Sequence, residues 1–195
     1  MSYTLIVPLS VMRLDFDELH VFAEETFAHR ENETAEQRWK RIEDDFLDFL
    51  LDMYLLGFLS TGLPDVGEPD PIRIRDVLYQ VIAGETIIDR ILKHIEEDSA
   101  PLFGILVESE AHRVSEQGGR DAAKNCERSG HGVFKIWNTM EDDRVRATHD
   151  YIHGYRAPID VPIYTFDGDY AQCPGGFQNV ENNAGCRCWL TYEIA

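Results

Sequence analysis

Basic side chains are scarce: 18 Lys and Arg stand against 36 Asp and Glu, a formal net charge of -18. A surface of that sign repels phosphate, and only scattered arginines offset it, so charge does not support DNA contact. The imbalance is steepest early, with 22 acidic and 9 basic side chains in residues 1–100 against 14 and 9 in residues 101–195. Apolar runs of membrane length are missing too. The nearest, FLDFLLDMYLLGFLS, is broken by Asp48 and Asp52, and the opening MSYTLIVPLS is too short to span a bilayer, lacks a basic flank and contains Pro8. These features predict a soluble chain made in a cytosol, without a membrane partner, its first residues a strand or extended arm. Low-complexity tracts are absent, and 44% hydrophobic residues argue against wholesale disorder. The glycine-rich phosphate loop, the G-x-S-x-G elbow and the dinucleotide fingerprint are all lacking. Trp39, Trp137 and Trp189 have no interleaved basic residues, so they read as core anchors rather than stacking platforms.

Helical periodicity fills the first half of what remains. Leu14, Leu19, Phe22, Ala23 and Phe27 predict a helix over 14–31, and Trp39, Ile42, Phe46, Phe49, Leu50 and Met53 a second over 34–59. The proline- and glycine-rich GLPDVGEPDP at 62–71 is a connector. A third helix carries Ile74, Val77, Leu78, Val81, Ile88, Ile91, Leu92 and Ile95, weakened in its middle by Gly84, with a stop at Asp98, Ser99 and Pro101. The fourth runs over 102–127, where the Gly118-Gly119 pair predicts a kink or break. Beyond SGHG at 129–132 the pattern changes. VFKIWNT reads as a strand, DRVRATHDYIHG as a short helix, APIDVPIYTF as broken strands and CRCWLTYEI as a last strand, with a turn-rich stretch before it. The reading is therefore α+β: an acidic helical region, 1–99, followed by a small, loop-rich α+β module with short strands, 100–195.

Four cysteines, Cys126, Cys173, Cys186 and Cys188, are too few for a disulfide framework in a reducing compartment. Cys126, on the fourth helix, reads as a packing residue. If the last segment is extended, Cys186 and Cys188 share a face while Arg187 points the other way. Adding His149, and Cys173 folded back by the Pro174-Gly175 turn, completes a Cys3His set suited to zinc. The paired C-x2-C hooks of a zinc ribbon are absent, and a metal-free core or a disulfide from Cys173 to one of the pair are the alternatives. His149 and His153 stand four apart with Asp150 between them, as in H-E-x-x-H, but Asp is a methylene shorter than the Glu such a site needs to reach a metal-bound water.

Several short segments taken in order carry a resemblance. S-E-A-H-R at 109–113, K-I-W at 135–137, D-D-R-V-R-A-T-H at 142–149, Gly154, C-P-G-G at 173–176 and C-R-C at 186–188 resemble the phage Mu F-like head morphogenesis family of minor capsid, portal-associated proteins. The likeness covers about residues 100–195. Glu110, Arg113, Trp137, Asp143, Arg144, Arg146, His149, Gly154, Pro174, Gly175, Cys186, Arg187 and Cys188 match its pattern, whereas His153, Gly185 and Cys173 depart from it. The resemblance implies a structural virion protein, not an enzyme, assembled in the host bacterial cytoplasm and acting near the portal in head assembly or genome delivery. Its partners would be the portal protein, the major capsid protein, or both. Relatives often carry toxin or transferase domains beyond the module; with seven residues after Cys188, none is expected here. Within the module, Asp142, Asp143, Arg144 and Arg146 are expected to form a charge-assisted network around the short helix, with Glu110, Arg113, Trp137 and Gly154 as further structural positions. The helical residues 14–97, which match no motif, are expected to make the main partner contact. The rival readings are a metal-dependent hydrolase using Asp150 as base, and a soluble adaptor or toxin-like module unrelated to capsids.

Overall fold

The computed structural model describes residues 4–6, 16–82 and 84–195. Strand β1 (Thr4–Ile6) is followed by helices α1 (Phe16–Phe27), α2 (Ala35–Leu59), α3 (Pro71–Leu78), α4 (Ile87–Glu96) and α5 (Ala100–Arg128). The chain then changes character, through β2 (Val133–Asn138), α6 (Ala147–Asp150), β3 (Arg156–Pro158), β4 (Ile163–Tyr164), β5 (Tyr170–Ala171), α7 (Val180–Asn183) and β6 (Trp189–Ile194). The α+β class expected from the sequence is the one adopted. The start of the first expected helix, at Leu14, lies outside the described residues.

Helix α2 begins where its chemistry says it should. Thr34 Oγ1 accepts from Gln37 N at 3.2 Å and Gln37 Oε1 accepts from Thr34 N at 2.9 Å, a reciprocal box that satisfies two amides without helical partners. Along its inner face Ile42, Phe46, Leu50, Tyr54 and Phe58 recur every fourth residue, none more than 1% exposed. They join Phe103, Val107, Ala111 and Val114 of α5 in one core. Each large side chain buried this way stabilises the fold by about 1.5–3 kcal/mol.

Two helical expectations are corrected. The third helix is two, α3 and α4, because Gly84 takes φ +85 in a tight turn that Ile82 and Glu85 close with a pair of backbone hydrogen bonds. Thr86 and Asp89 then cap a fresh start, with Asp89 Oδ2 accepting from Thr86 N at 2.8 Å. Conversely, α5 passes through Gly118-Gly119 without a break. A Cβ at Gly118 would collide with the backbone oxygen of Tyr54, and one at Gly57 with that of Ser115. The glycines are contact points where α2 and α5 approach backbone to backbone.

The sheet has the order β1-β6-β2-β3, antiparallel throughout, with β6 between β1 and β2. Its first strand comes from the chain's opening residues, as the apolar start suggested. A second core, including Trp137, Ile152, Phe177, Leu190 and Tyr192, fills the space under this sheet, and Ala123 and Cys126 of α5 extend into it. Helix α5 therefore belongs to both cores. The boundary expected at 99/100 does not separate two packing units, because α5 is the shared wall and β1 crosses over to pair with β6.

Candidate metal centre

Strand β2 alternates buried and half-buried positions, turning Val133, Lys135 and Trp137 inward. Trp137 carries the geometry of the site. Its carbonyl accepts from Gly154 N at 2.7 Å, and its amide donates to Tyr155 O at 3.1 Å, so the turn after α6 is fastened to the strand. Gly154 sits at φ +70, a conformation that glycine adopts without a Cβ clash. The fastened turn presses His149 into the second core, where its ring stacks on Phe177 at 5.0 Å and meets Trp137 edge-on at 6.3 Å.

His149 Nδ1 lies 3.3 Å from Cys188 Sγ and 3.8 Å from Cys186 Sγ. The three donor atoms fall within 4.8 Å of one another, all on buried residues, and could hold a metal ion. Donors bound to a tetrahedral metal at zinc-like bond lengths stand roughly 3.5–3.8 Å apart, so the spacing fits. Cys186 is held well below the usual thiol range, first by the hydrogen bond from Cys188 and then by His112 and His149, while burial opposes them. Cys188 moves the other way, because its neighbour takes the charge. One thiol is thus poised to ionise, which metal binding requires.

Cys186 and Cys188 precede β6 rather than lying in it, since the strand starts at Trp189. Alternation still sorts the side chains: the sulfurs face His149, and Arg187 turns outward to grip Asp142 with two bonds, at 2.7 and 2.8 Å. That pair holds Asp142 below the ordinary carboxylate range. Asp142 also accepts from Arg144 N at 3.1 Å. Arg146 donates to Ala184 O and Thr148 Oγ1 to Asn182 Oδ1 at 3.1 Å, tying the α6 segment to the α7 loop.

The expected network is therefore smaller than the sequence suggested. Asp143 and Arg144 have exposed side chains, and it is Asp142 that meets Arg187. Glu110 and Arg113 are buried in a different joint: Glu110 accepts from Arg113 at 2.7 and 3.0 Å and from Arg90 at 2.6 Å, and Arg113 also donates to Val77 O and Gln80 Oε1. Against the cost of burial, these two arginines keep the Glu110 carboxyl below its usual range.

Cys173 is the principal correction. It is not among the three clustered donors. Gly175, at φ +75, packs so closely on α5 that a Cβ there would stand 2.9 Å from Arg113 Cβ, which seats the Pro174-Gly175 turn on the helix. The Cys173 thiol is left fully buried, and burial pushes it up to about 12. His153 likewise faces away from the cluster, its Nδ1 accepting from Thr139 N at 3.1 Å, and Asp150 is exposed. His149 and His153 therefore do not act as a ligand pair. All four cysteines are free, and Cys126 is buried in the second core as expected.

The sequence reading passed over His112 and Glu116, one turn apart on α5. Glu116 is buried; its Oε2 accepts from Leu190 N at 3.1 Å, its Oε1 has no hydrogen-bond partner, and burial raises its carboxyl to about 8. Burial alone would depress His112, but the Cys186 thiol beside it turns the net shift upward. Their i, i+4 spacing on the fourth expected helix was the available signal. Over the cluster itself, beside His149 and Cys188, the open space is about 10 Å³. A larger cavity of about 340 Å³ lies elsewhere, between α2, α3 and α5, where Arg73 pairs with Asp121 at 2.8 Å. No helix among the described residues is long and apolar enough to cross a membrane. No family model, curated protein or solved structure matches this chain.

Proposed function

We propose that this chain is a structural minor capsid protein of a tailed phage, acting near the portal in head assembly or genome delivery, with zinc as a structural staple. The observation that carries the reading is where the residues of the Mu F-like resemblance fall. Glu110 with Arg113, Trp137 with Gly154 and His149, and the Cys186 and Cys188 pair all sit at joints between elements rather than around an open cleft. A space of about 10 Å³ over the cluster accommodates at most a water, not a substrate. Thiolate and imidazole donors together suit zinc, and closing the loop-rich segment before β6 is what a structural zinc does.

The acidic helices supply the face for a partner, the portal protein or the major capsid protein. Their charge favours a basic counterpart and a salt-sensitive association. The test is made on particles. Mass spectrometry of purified heads is expected to find the chain in few copies, and deleting its gene to leave heads defective in assembly or DNA delivery. Particles that lack the chain, formed normally after its deletion, would overturn the proposal. Elemental analysis of the purified chain is expected to give one zinc per molecule.

A further inference from the structure

We propose that His112, on α5, is the fourth donor of the metal centre, making it a closed Cys2His2 shell drawn from α5, α6 and the segment before β6. The inference rests on the metal reading of His149, Cys186 and Cys188. Three such donors leave a tetrahedral ion one ligand short, and a structural zinc takes its fourth from the protein.

The placement of α5 supplies it. Residues four apart on a helix lie on one face. Glu116 marks that face, since its Oε2 accepts from Leu190 N, two residues beyond Cys188. One turn back, the His112 ring contacts the Cys186 side chain and the backbone of Cys188. Its Nε2 is nevertheless buried with no hydrogen-bond partner. A buried ring nitrogen left unpaired costs free energy unless something occupies it, and a metal between His112 and the sulfurs would do so. His112 is not one of the three donors already within 4.8 Å of one another, so metal binding would draw its ring inward.

The alternatives for the fourth position are weaker. Cys173 is held elsewhere by the turn seated on Arg113. Solvent has about 10 Å³ beside His149 and Cys188, at the lower limit for a single water. Charge points the same way: two thiolates balance a divalent ion, and a neutral imidazole completes the shell without adding a buried charge beside Glu116. The consequence is mechanical. A metal held by His112 ties the helix shared by both cores to the C-terminal segment, so the staple joins the whole molecule rather than closing one loop.

The experiment uses the full chain, with Co²⁺ as the probe in place of zinc, and X-ray absorption on the zinc form. Wild type is expected to bind one ion with the intense visible bands of a tetrahedral site, and its absorption fine structure to fit two sulfur and two nitrogen neighbours. His112→Asn is expected to weaken binding by about 100-fold or more and to lose the tetrahedral bands. His112→Cys is expected to restore them with stronger thiolate charge transfer, which a purely structural role for the ring would not produce. Unchanged bands and affinity in His112→Asn, or a wild-type shell with one nitrogen, would overturn the His112 assignment and leave the three-donor site standing. If His112→Asn does not fold, the wild-type neighbour count and the His112→Cys spectrum decide. A wild-type chain that binds no ion would sink the metal reading itself, and this inference with it.

Discussion

Two buried charged sites behave in opposite ways, and the difference is partnership. Glu110 and Arg113 are at most 3% exposed, yet the Glu110 carboxylate meets Arg90 and Arg113, and Arg113 reaches Val77 O and Gln80 as well. Removing one member strands the others, so Glu110→Ala is expected to cost about 3–5 kcal/mol in chemical denaturation. A loss below about 1 kcal/mol would show that the joint is not needed. Lys135 is fully buried, and among the described residues Gln172 alone receives it, its Nζ donating at 2.7 and 2.9 Å. Burial pulls it down from 10.5 to about 8. Between those values the unfolded chain holds more protons than the folded one, so this lysine's contribution rises with pH across the window and its cost is largest below it. Relative to Lys135→Met, wild type is expected to gain on the order of 1–3 kcal/mol between about pH 7.5 and pH 10. Parallel stability curves for the two proteins would rule this out.

At the scale of elements, glycines within one helix divide by what faces them. A Cβ at Gly118 would run into the Tyr54 carbonyl of α2, whereas one at Gly104 meets nothing closer than His20 Nδ1 at 3.6 Å. Alanine improves helix propensity at both positions by up to about 1 kcal/mol, but overpacking at Gly118 costs more. Gly118→Ala is therefore expected to destabilise by about 1–3 kcal/mol and Gly104→Ala to be neutral or stabilising, as read from urea midpoints. If both shift the midpoint in the same direction, the close crossing of α2 and α5 is not what selects glycine. The pair at 118–119 looked like a break because sequence alone cannot distinguish a helix that bends from one that is touched. Gly84 is the converse case: its left-handed backbone and the Thr86 cap behind it end one helix and start another.

At the scale of the molecule, α5 makes the two halves interdependent. Its inner face buries Phe103, Val107, Ala111 and Val114 against α2, while Ala123 and Cys126 enter the sheet-side core. A chain starting at residue 100 would expose the first group, take Val77 and Gln80 away from Arg113 and strip β1 from β6. Residues 100–195 alone are expected to lack a cooperative unfolding transition and dispersed amide resonances. A folded spectrum from that fragment would restore the boundary expected at 99/100. The role proposed for the acidic helices in binding a portal or capsid partner is best tested by charge reversal on their exposed faces in the full chain.

Local chemistry was readable from the sequence. The apolar ladder of α2 and the outward turn of Arg187 between two cysteines follow from spacing, because each depends on neighbours a few residues away. His149 with Cys186 and Cys188 was legible for the same reason: soft donors at short spacing are few in this chain. Tertiary structure decided the remainder. Cys173 left the cluster because its turn is seated on Arg113, Asp142 rather than Asp143 met Arg187, and His112 came beside the Cys186 thiol because α5 lies along the start of β6. Those outcomes depend on which surfaces meet across dozens of residues, and such meetings are fixed by close packing and burial rather than by any periodicity along the chain.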